Sequence, residues 1–88
     1  MCTYTTEIVA LTGSAKGPHG WFDASHASVY VDHPLHLSRQ HAVLIDVLNP
    51  TLGPASRVAL ELDDSSARSL ATAILRALDG VAPDLLDT

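Results

Sequence analysis

Residues 57–80, RVALELDDSSARSLATAILRALDG, decide the fold because one hydrophobic pattern replaces another within them. The first six residues alternate between apolar and polar side chains, which is typical of a half-buried β-strand. Apolar residues then recur at intervals of three and four, which predicts an amphipathic helix. These residues are Ala67, Leu70, Ala71, Ile74, Leu75 and Leu78. Asp63 or Asp64 can cap this helix at its start, while Gly80 and Pro83 favour its end.

Three segments that precede this stretch have the composition of β-strands: 3–12, 21–32 and 42–48. Segments rich in Gly and Pro separate them, and such short connections favour antiparallel neighbours. We therefore predict an α+β fold, a four-stranded antiparallel meander sheet with one C-terminal helix packed on one face. The chain is expected to be a single domain over residues 1–88, with a flexible acidic tail at 81–88.

The composition excludes two classes of partner. Asp and Glu outnumber Lys and Arg by 10 to 5, and the basic residues are dispersed, so no basic patch is available to neutralise the phosphates of a nucleic acid. No apolar run approaches the roughly 20 residues of a membrane-spanning helix, and the N-terminus does not resemble a signal peptide. The only cysteine, Cys2, cannot form a disulfide within the chain. These features predict a cytoplasmic protein.

The size of the chain predicts that it needs additional stabilisation. A domain of 88 residues buries only about 60–65% of the surface that its unfolded chain exposes. One helix covers one side of a sheet and leaves the other side open. A homodimer is therefore expected, and a small-molecule ligand on the open face is also possible.

Histidine is concentrated in one region, because all five histidines lie between residues 19 and 41. In an up-and-down sheet, Cys2, Asp32 and the loop that carries three histidines meet at one end. Centring the second hairpin near residue 37 places His33 opposite His41, within cross-strand contact distance. This end of the sheet is thus the predicted working end.

The residue types at that end predict a transition-metal site, and a small metal-binding protein or metalloenzyme is the leading hypothesis. Thiolate and imidazole suit zinc best, with copper, nickel or iron as alternatives. The predicted ligands are His33, His36, His41 and Cys2. Carboxylates that could orient the imidazoles from behind are Asp32, Asp46 and Glu7.

Two other functions stay open. The first is a metal-free dimeric module for binding or assembly that uses the open sheet face. Its candidate pocket or interface residues are His19, Trp21, His26 and Tyr30. The second is a cofactor-free enzyme in which Cys2 is the nucleophile and a histidine the base. Whether the chain is an enzyme is not decided by these residues.

Several segments together resemble a family of small bacterial proteins of unknown function. They are the Met-Cys-Thr-Tyr start at 1–4, Gly-Pro-His-Gly-Trp at 17–21, Tyr-Val-Asp-His-Pro-Leu-His at 30–36 and Arg-Val-Ala-Leu-Glu-Leu at 57–62. The resemblance extends from residue 1 to about residue 78 and implies a free-standing domain of unknown function. It implies no activity.

Overall fold

The computed structural model describes residues 5–86 of the chain. Its elements are β1 (Glu7–Gly17), β2 (Gly20–Asp32), β3 (Ala42–Leu48), β4 (Arg57–Leu62) and α1 (Asp64–Asp79), with short 3-10 helices at Pro50–Leu52 and Pro83–Leu86. The strands form one antiparallel sheet in the order β1-β2-β3-β4. The predicted α+β fold, an antiparallel meander followed by a helix, is confirmed.

The first hairpin is longer than its glycine-rich sequence predicts. The segment 13–17, expected to be part of a turn, continues β1, and only Pro18 and His19 connect the two strands. The pairing register shifts between Ala10 and Gly13, where β1 has one more residue than β2. Such a β-bulge bends a strand without ending it.

The pairing register separates the side chains into two faces. On one, Tyr30 pairs with Leu44 and Leu44 with Glu61; this side also carries Asp46 and is called the polar face. On the other, Val29 pairs with Ile45 and Ile45 with Leu60. This second side is called the apolar face, and its aliphatic residues are Val9, Ala27, Val29, Val31, Val43, Ile45, Val47, Val58, Leu60 and Leu62.

The chain has almost no core of its own. Within residues 5–86 the buried side chains are those of three alanines, Ala24, Ala27 and Ala42. The helix contacts β3 and β4, but all its residues are exposed except the half-buried Ala67. The apolar stripe of α1 is 41% exposed at Leu70 and 62% exposed at Leu75. Burial of a large aliphatic side chain contributes about 1.5–3 kcal/mol, and this chain makes little use of that contribution.

We predict that Gly20→Ala destabilises the fold by about 1–2 kcal/mol, because Gly20 has a φ of 108°, which an L residue adopts only with strain. The matched control is Gly13→Ala in the same hairpin. Gly13 lacks a positive φ, and a Cβ there meets no atom within 4 Å. Urea unfolding at a fixed protein concentration measures both variants. Equal stabilities of the two would contradict the prediction.

Candidate functional site

The polar face carries a hydrogen-bonded group on three adjacent strands. The Tyr30 hydroxyl donates to Asp46 Oδ2 at 3.3 Å. Arg57 donates to Asp46 Oδ1 from Nε at 3.0 Å and from Nη2 at 2.6 Å. Asp46 pairs with Ala59, so Arg57 is its diagonal neighbour on β4 and can reach across. Asp46 therefore holds one side chain from each neighbouring strand.

Burial and charge both act on the phenol of this group. Desolvation raises the pKa of Tyr30 above its usual value, and the adjacent Asp46 carboxylate raises it further. The Tyr30 hydroxyl consequently stays protonated at neutral pH and remains a donor to Asp46. The guanidinium of Arg57 is half exposed while the Asp46 carboxylate is largely covered. The ion pair thus forms a fixed polar patch at the solvent boundary.

A second carboxylate holds the loop between β2 and β3. Glu61 accepts three backbone N–H groups, from Leu35 at 2.6 Å, His36 at 2.9 Å and Leu37 at 2.8 Å. These hydrogen bonds, with that of Leu35 foremost, lower the pKa of Glu61, and the nearby His36 lowers it further. One side chain of β4 therefore positions the loop that the sequence marks as histidine-rich.

The predicted contact between His33 and His41 is present. Asp32 pairs with Ala42, which places the adjacent residues His33 and His41 opposite each other. Their imidazole rings have centroids 4.6 Å apart and planes inclined at 33°. The Nδ1 atom of His33 lies 2.7 Å from the carbonyl oxygen of Gln40. Since a carbonyl only accepts, this nitrogen carries the proton and donates.

The predicted metal-binding function is wrong for the part of the chain that the structure describes. No group of three His, Cys, Asp or Glu side chains within residues 5–86 is arranged to hold a metal ion. The imidazole planes of His33 and His41 are tilted by 33° to each other, and the Nδ1 atom of His33 is engaged with the carbonyl oxygen of Gln40. Cys2, the predicted fourth ligand, lies outside the described residues. The prediction of zinc as the ion stays untested.

The three carboxylates predicted to support a metal have other positions. Asp32 accepts the backbone N–H of His33 at 2.7 Å. Asp46 binds Arg57 and Tyr30 on the polar face. Glu7 pairs with Val29, which places it on the apolar face, on the other side of the sheet. Glu7 is thus separated from the other two by the sheet, and the three carboxylates do not surround one point.

A cavity of about 700 Å³ opens on the polar face beside the loop. Leu44, Ala59 and Leu37 supply apolar walls. Polar groups converge around them, and these are Tyr30, Asp32, His33, His36, Asp46, Arg57 and Glu61. Volumes of about 300–1,000 Å³ with a few convergent polar groups are typical of small-molecule sites.

The four predicted pocket or interface residues do not form one surface. His19 and Trp21 line a second cavity of about 490 Å³ with Leu52 and Ala55. By strand alternation Trp21 falls on the apolar side of β2, whereas Tyr30 falls on the polar face. His26 is exposed, and its Nδ1 lies 2.8 Å from the hydroxyl of Ser25. Of the four, Tyr30 alone lines the larger cavity.

Sequence reasoning missed two residues that organise the polar face, Arg57 and Glu61. Both occupy alternate positions of β4, the side of the strand that faces Leu44 and Asp46. The signal for Arg57 was present, since Asp46 is a lone acidic residue in an otherwise apolar strand and needs a partner. No comparable signal marks Glu61, because backbone N–H groups donate to it from a loop of irregular conformation.

The model of the family DUF6295, described as a family of unknown function, matches residues 1–87 of the chain. No curated protein matches it, and neither does any solved structure. The resemblance to a family of unknown function is thus confirmed. It contributes no activity, so the function has to be argued from the geometry.

We predict that Glu61→Gln loosens the loop between β2 and β3. An amide oxygen accepts fewer and weaker hydrogen bonds than a carboxylate, so the N–H groups of Leu35, His36 and Leu37 lose protection. Hydrogen exchange is expected to accelerate at these amides by roughly tenfold, because the loop opens locally more often. Glu7→Gln is the matched control and leaves them unchanged.

The same carboxylate gives the loop a pH dependence of defined sign. Because folding lowers the pKa of Glu61, its stabilisation is present above the ordinary glutamate pKa and is lost as the pH falls through the lowered value. Exchange at Leu35 and Leu37, corrected for intrinsic rates, should therefore accelerate at acidic pH in the unaltered chain. In Glu61→Gln this pH dependence should be absent. Its persistence in the variant would contradict the assignment.

Proposed function

The chain belongs to DUF6295, a family of unknown function, and we propose that it is a self-assembly module, one protomer of a homodimer held together through apolar surface. The observation that carries this proposal is that no side chain larger than alanine is buried within residues 5–86. A second copy supplies the missing layer. The lone cysteine, which cannot pair within the chain, is consistent with the cytoplasmic setting that we also propose.

The exposed area supports a partner of this size. The chain exposes 6760 Å², whereas a compact monomer of 88 residues exposes about 5,000 Å². The six residues outside the described range, 1–4 and 87–88, account for at most about 1,000 Å² even when fully extended. The remaining excess is about 800–1,800 Å² per chain, so a dimer that removes it buries about 1,600–3,600 Å². Stable and obligate dimers bury amounts in this range.

No helix within residues 5–86 has both the length and the hydropathy needed to cross a lipid bilayer. The apolar stripe of α1 is exposed to solvent within the chain. Exposed apolar patches of this extent are typical of protein interfaces. We take a second copy of the chain as the partner, because it is present wherever the protein itself is present.

We predict that Ile74→Asp weakens dimerisation by at least tenfold, about 1.4 kcal/mol, because the charge must be desolvated in the interface. Ile74 is 53% exposed within the chain, so the same change costs the isolated protomer little. Thr72→Asp introduces the same charge two residues away, on the polar side of the helix, and should not change the dimer. Light scattering across a dilution series measures the association of all three proteins.

The melting temperature gives an independent readout for the same variants. A dimer that unfolds to separate chains melts at higher temperature when it is more concentrated. The unaltered chain and Thr72→Asp should show this dependence, and Ile74→Asp should show less structure by circular dichroism at low concentration. A monomeric unaltered chain with a concentration-independent melting temperature would exclude the dimer.

A second candidate function, small-molecule binding, is favoured by the cavity on the polar face. Its lining contains three carboxylates, Asp32, Asp46 and Glu61, against one guanidinium, that of Arg57. The excess of carboxylates over guanidinium groups favours a protonated amine over a carboxylate. The apolar walls suit a ligand with a hydrocarbon or aromatic body. We propose small organic amines as the ligand class.

We predict that fragments with a primary amine shift the amide resonances of Leu44, Asp46 and Ala59, whereas matched fragments with a carboxylate in its place do not. Ala59→Phe fills the cavity and should abolish these shifts. Protein NMR with paired fragments makes the comparison directly. Equal binding of amines and acids would contradict the charge argument, and absence of both would exclude this second function.

A further inference from the structure

Residues 5–86 leave two apolar surfaces incompletely covered, the stripe of α1 and the apolar face of the sheet. The stripe is exposed along its length, with Leu70 at 41%, Ile74 at 53% and Leu78 at 49%. The apolar face has exposed aliphatic residues on its outer strands, among them Val9 at 46% and Leu60 at 41%. Both surfaces are apolar, so each is a suitable packing partner for the other.

The connection between β4 and α1 explains why the helix covers so little of its own sheet. β4 ends at Leu62 and α1 starts at Asp64, so Asp63 is the single linking residue. Asp63 is extended, with φ −70° and ψ 167°, and its side chain accepts the N–H of Ser66 as the helix cap. Connections between strands and helices that fold back on a sheet usually have about 2–6 residues. A one-residue capped link leaves the helix largely off its own sheet.

The dimensions of the two surfaces match. The 16 residues of α1 correspond to a length of about 24 Å at 1.5 Å per residue. The seven residues of β3, near the middle of the sheet, span about 24 Å as well. One helix can therefore cover the central part of one apolar face. This is the usual layer arrangement of an α+β domain, formed here between chains.

We infer that the dimer is reciprocal, with α1 of each copy packed on the apolar face of the other. This inference rests on the proposed homodimer and specifies which surfaces meet. A two-fold axis makes both contacts equivalent, and the excess area of about 800–1,800 Å² per chain is sufficient for a stable interface. Each protomer then supplies the second layer that its partner lacks.

Cross-linking between two distinguishable chains tests the arrangement. Both chains carry Cys2→Ser, and one has a tag that changes its mass. The first chain contains Ile74→Cys, and the second contains a cysteine on the apolar face, in separate variants at Val29, Ile45 and Leu60. After mixing and exchange of protomers, mild oxidation should give a mixed disulfide dimer with at least one of the three.

Matched controls lie one or two residues away. Thr72→Cys replaces Ile74→Cys on the polar side of α1, and Ala59→Cys replaces Leu60→Cys on the polar face of the sheet. Neither should form the mixed disulfide at more than a tenth of the yield of the reactive pair. Light scattering before oxidation establishes that each variant is dimeric.

The outcomes separate this inference from the proposed function. If the cysteine of Ile74→Cys forms a disulfide only with the same cysteine of a second copy, the two helices pack against each other instead of on the sheets. That result would overturn the inference but not the proposed dimer. A disulfide that closes within one chain carrying both Ile74→Cys and Leu60→Cys would also overturn it. Monomeric chains throughout would overturn the proposed function first.

Discussion

A β-sheet satisfies its backbone polar groups by its own ladder, but it is stable in water only when another layer covers its apolar side. This constraint governs the whole structure. The four strands pair in simple sequence order, and the chain continues into one amphipathic helix. Within the described residues, however, the larger aliphatic side chains on the apolar side of the sheet are only half-buried or exposed. The proposed assembly with a second copy rests on this missing layer rather than on any individual contact.

The two faces of the sheet differ because successive side chains of a strand point to opposite faces. In β3 the even-numbered residues Leu44 and Asp46 lie on the polar face, and the odd-numbered residues Val43 and Ile45 lie on the apolar face. The polar face is organised by carboxylates that each bind more than one donor. Asp46 joins three strands, and Glu61 fixes the adjoining loop. On the other side of the sheet the charged residues lie on β1 and β2, namely Glu7, Lys16 and Asp23, whereas β3 and β4 carry only aliphatic residues there.

Much of the fold could be predicted because it depends on local patterns. The alternation of β4 and the three-and-four repeat of α1 gave their types and nearly their ends, and the short second hairpin correctly placed His33 opposite His41. The length of β1 could not be predicted, because Gly13 and Gly17 usually indicate turns and nothing in the sequence marks a bulge between Ala10 and Gly13. Turn and strand propensities are properties of single residues, whereas a bulge depends on how two strands pair.

The site was less predictable than the fold, because side chains that are neighbours in a sheet need not direct their ligand atoms at one point. Register brings the rings of His33 and His41 together, yet ligand geometry depends on where their nitrogens point, and Nδ1 of His33 points at the carbonyl oxygen of Gln40. The packing of the helix was also inferred from its stripe alone. A stripe shows that a helix has an apolar partner but does not show to which chain that partner belongs. The one-residue link at Asp63 is the feature that distinguishes the two cases.

The position of the cavity has a consequence for any ligand. If the apolar faces are covered by partner helices, the cavities beside Tyr30 and Arg57 open on the opposite side of each sheet. Of the strand residues that line the cavity, Leu60 belongs to the apolar face, and the others lie on the polar face. A ligand can therefore influence assembly through Leu60, through the strands themselves or through the loop that Glu61 holds. Substitutions on the two faces away from Leu60 should have additive effects, as expected for sites without shared contacts.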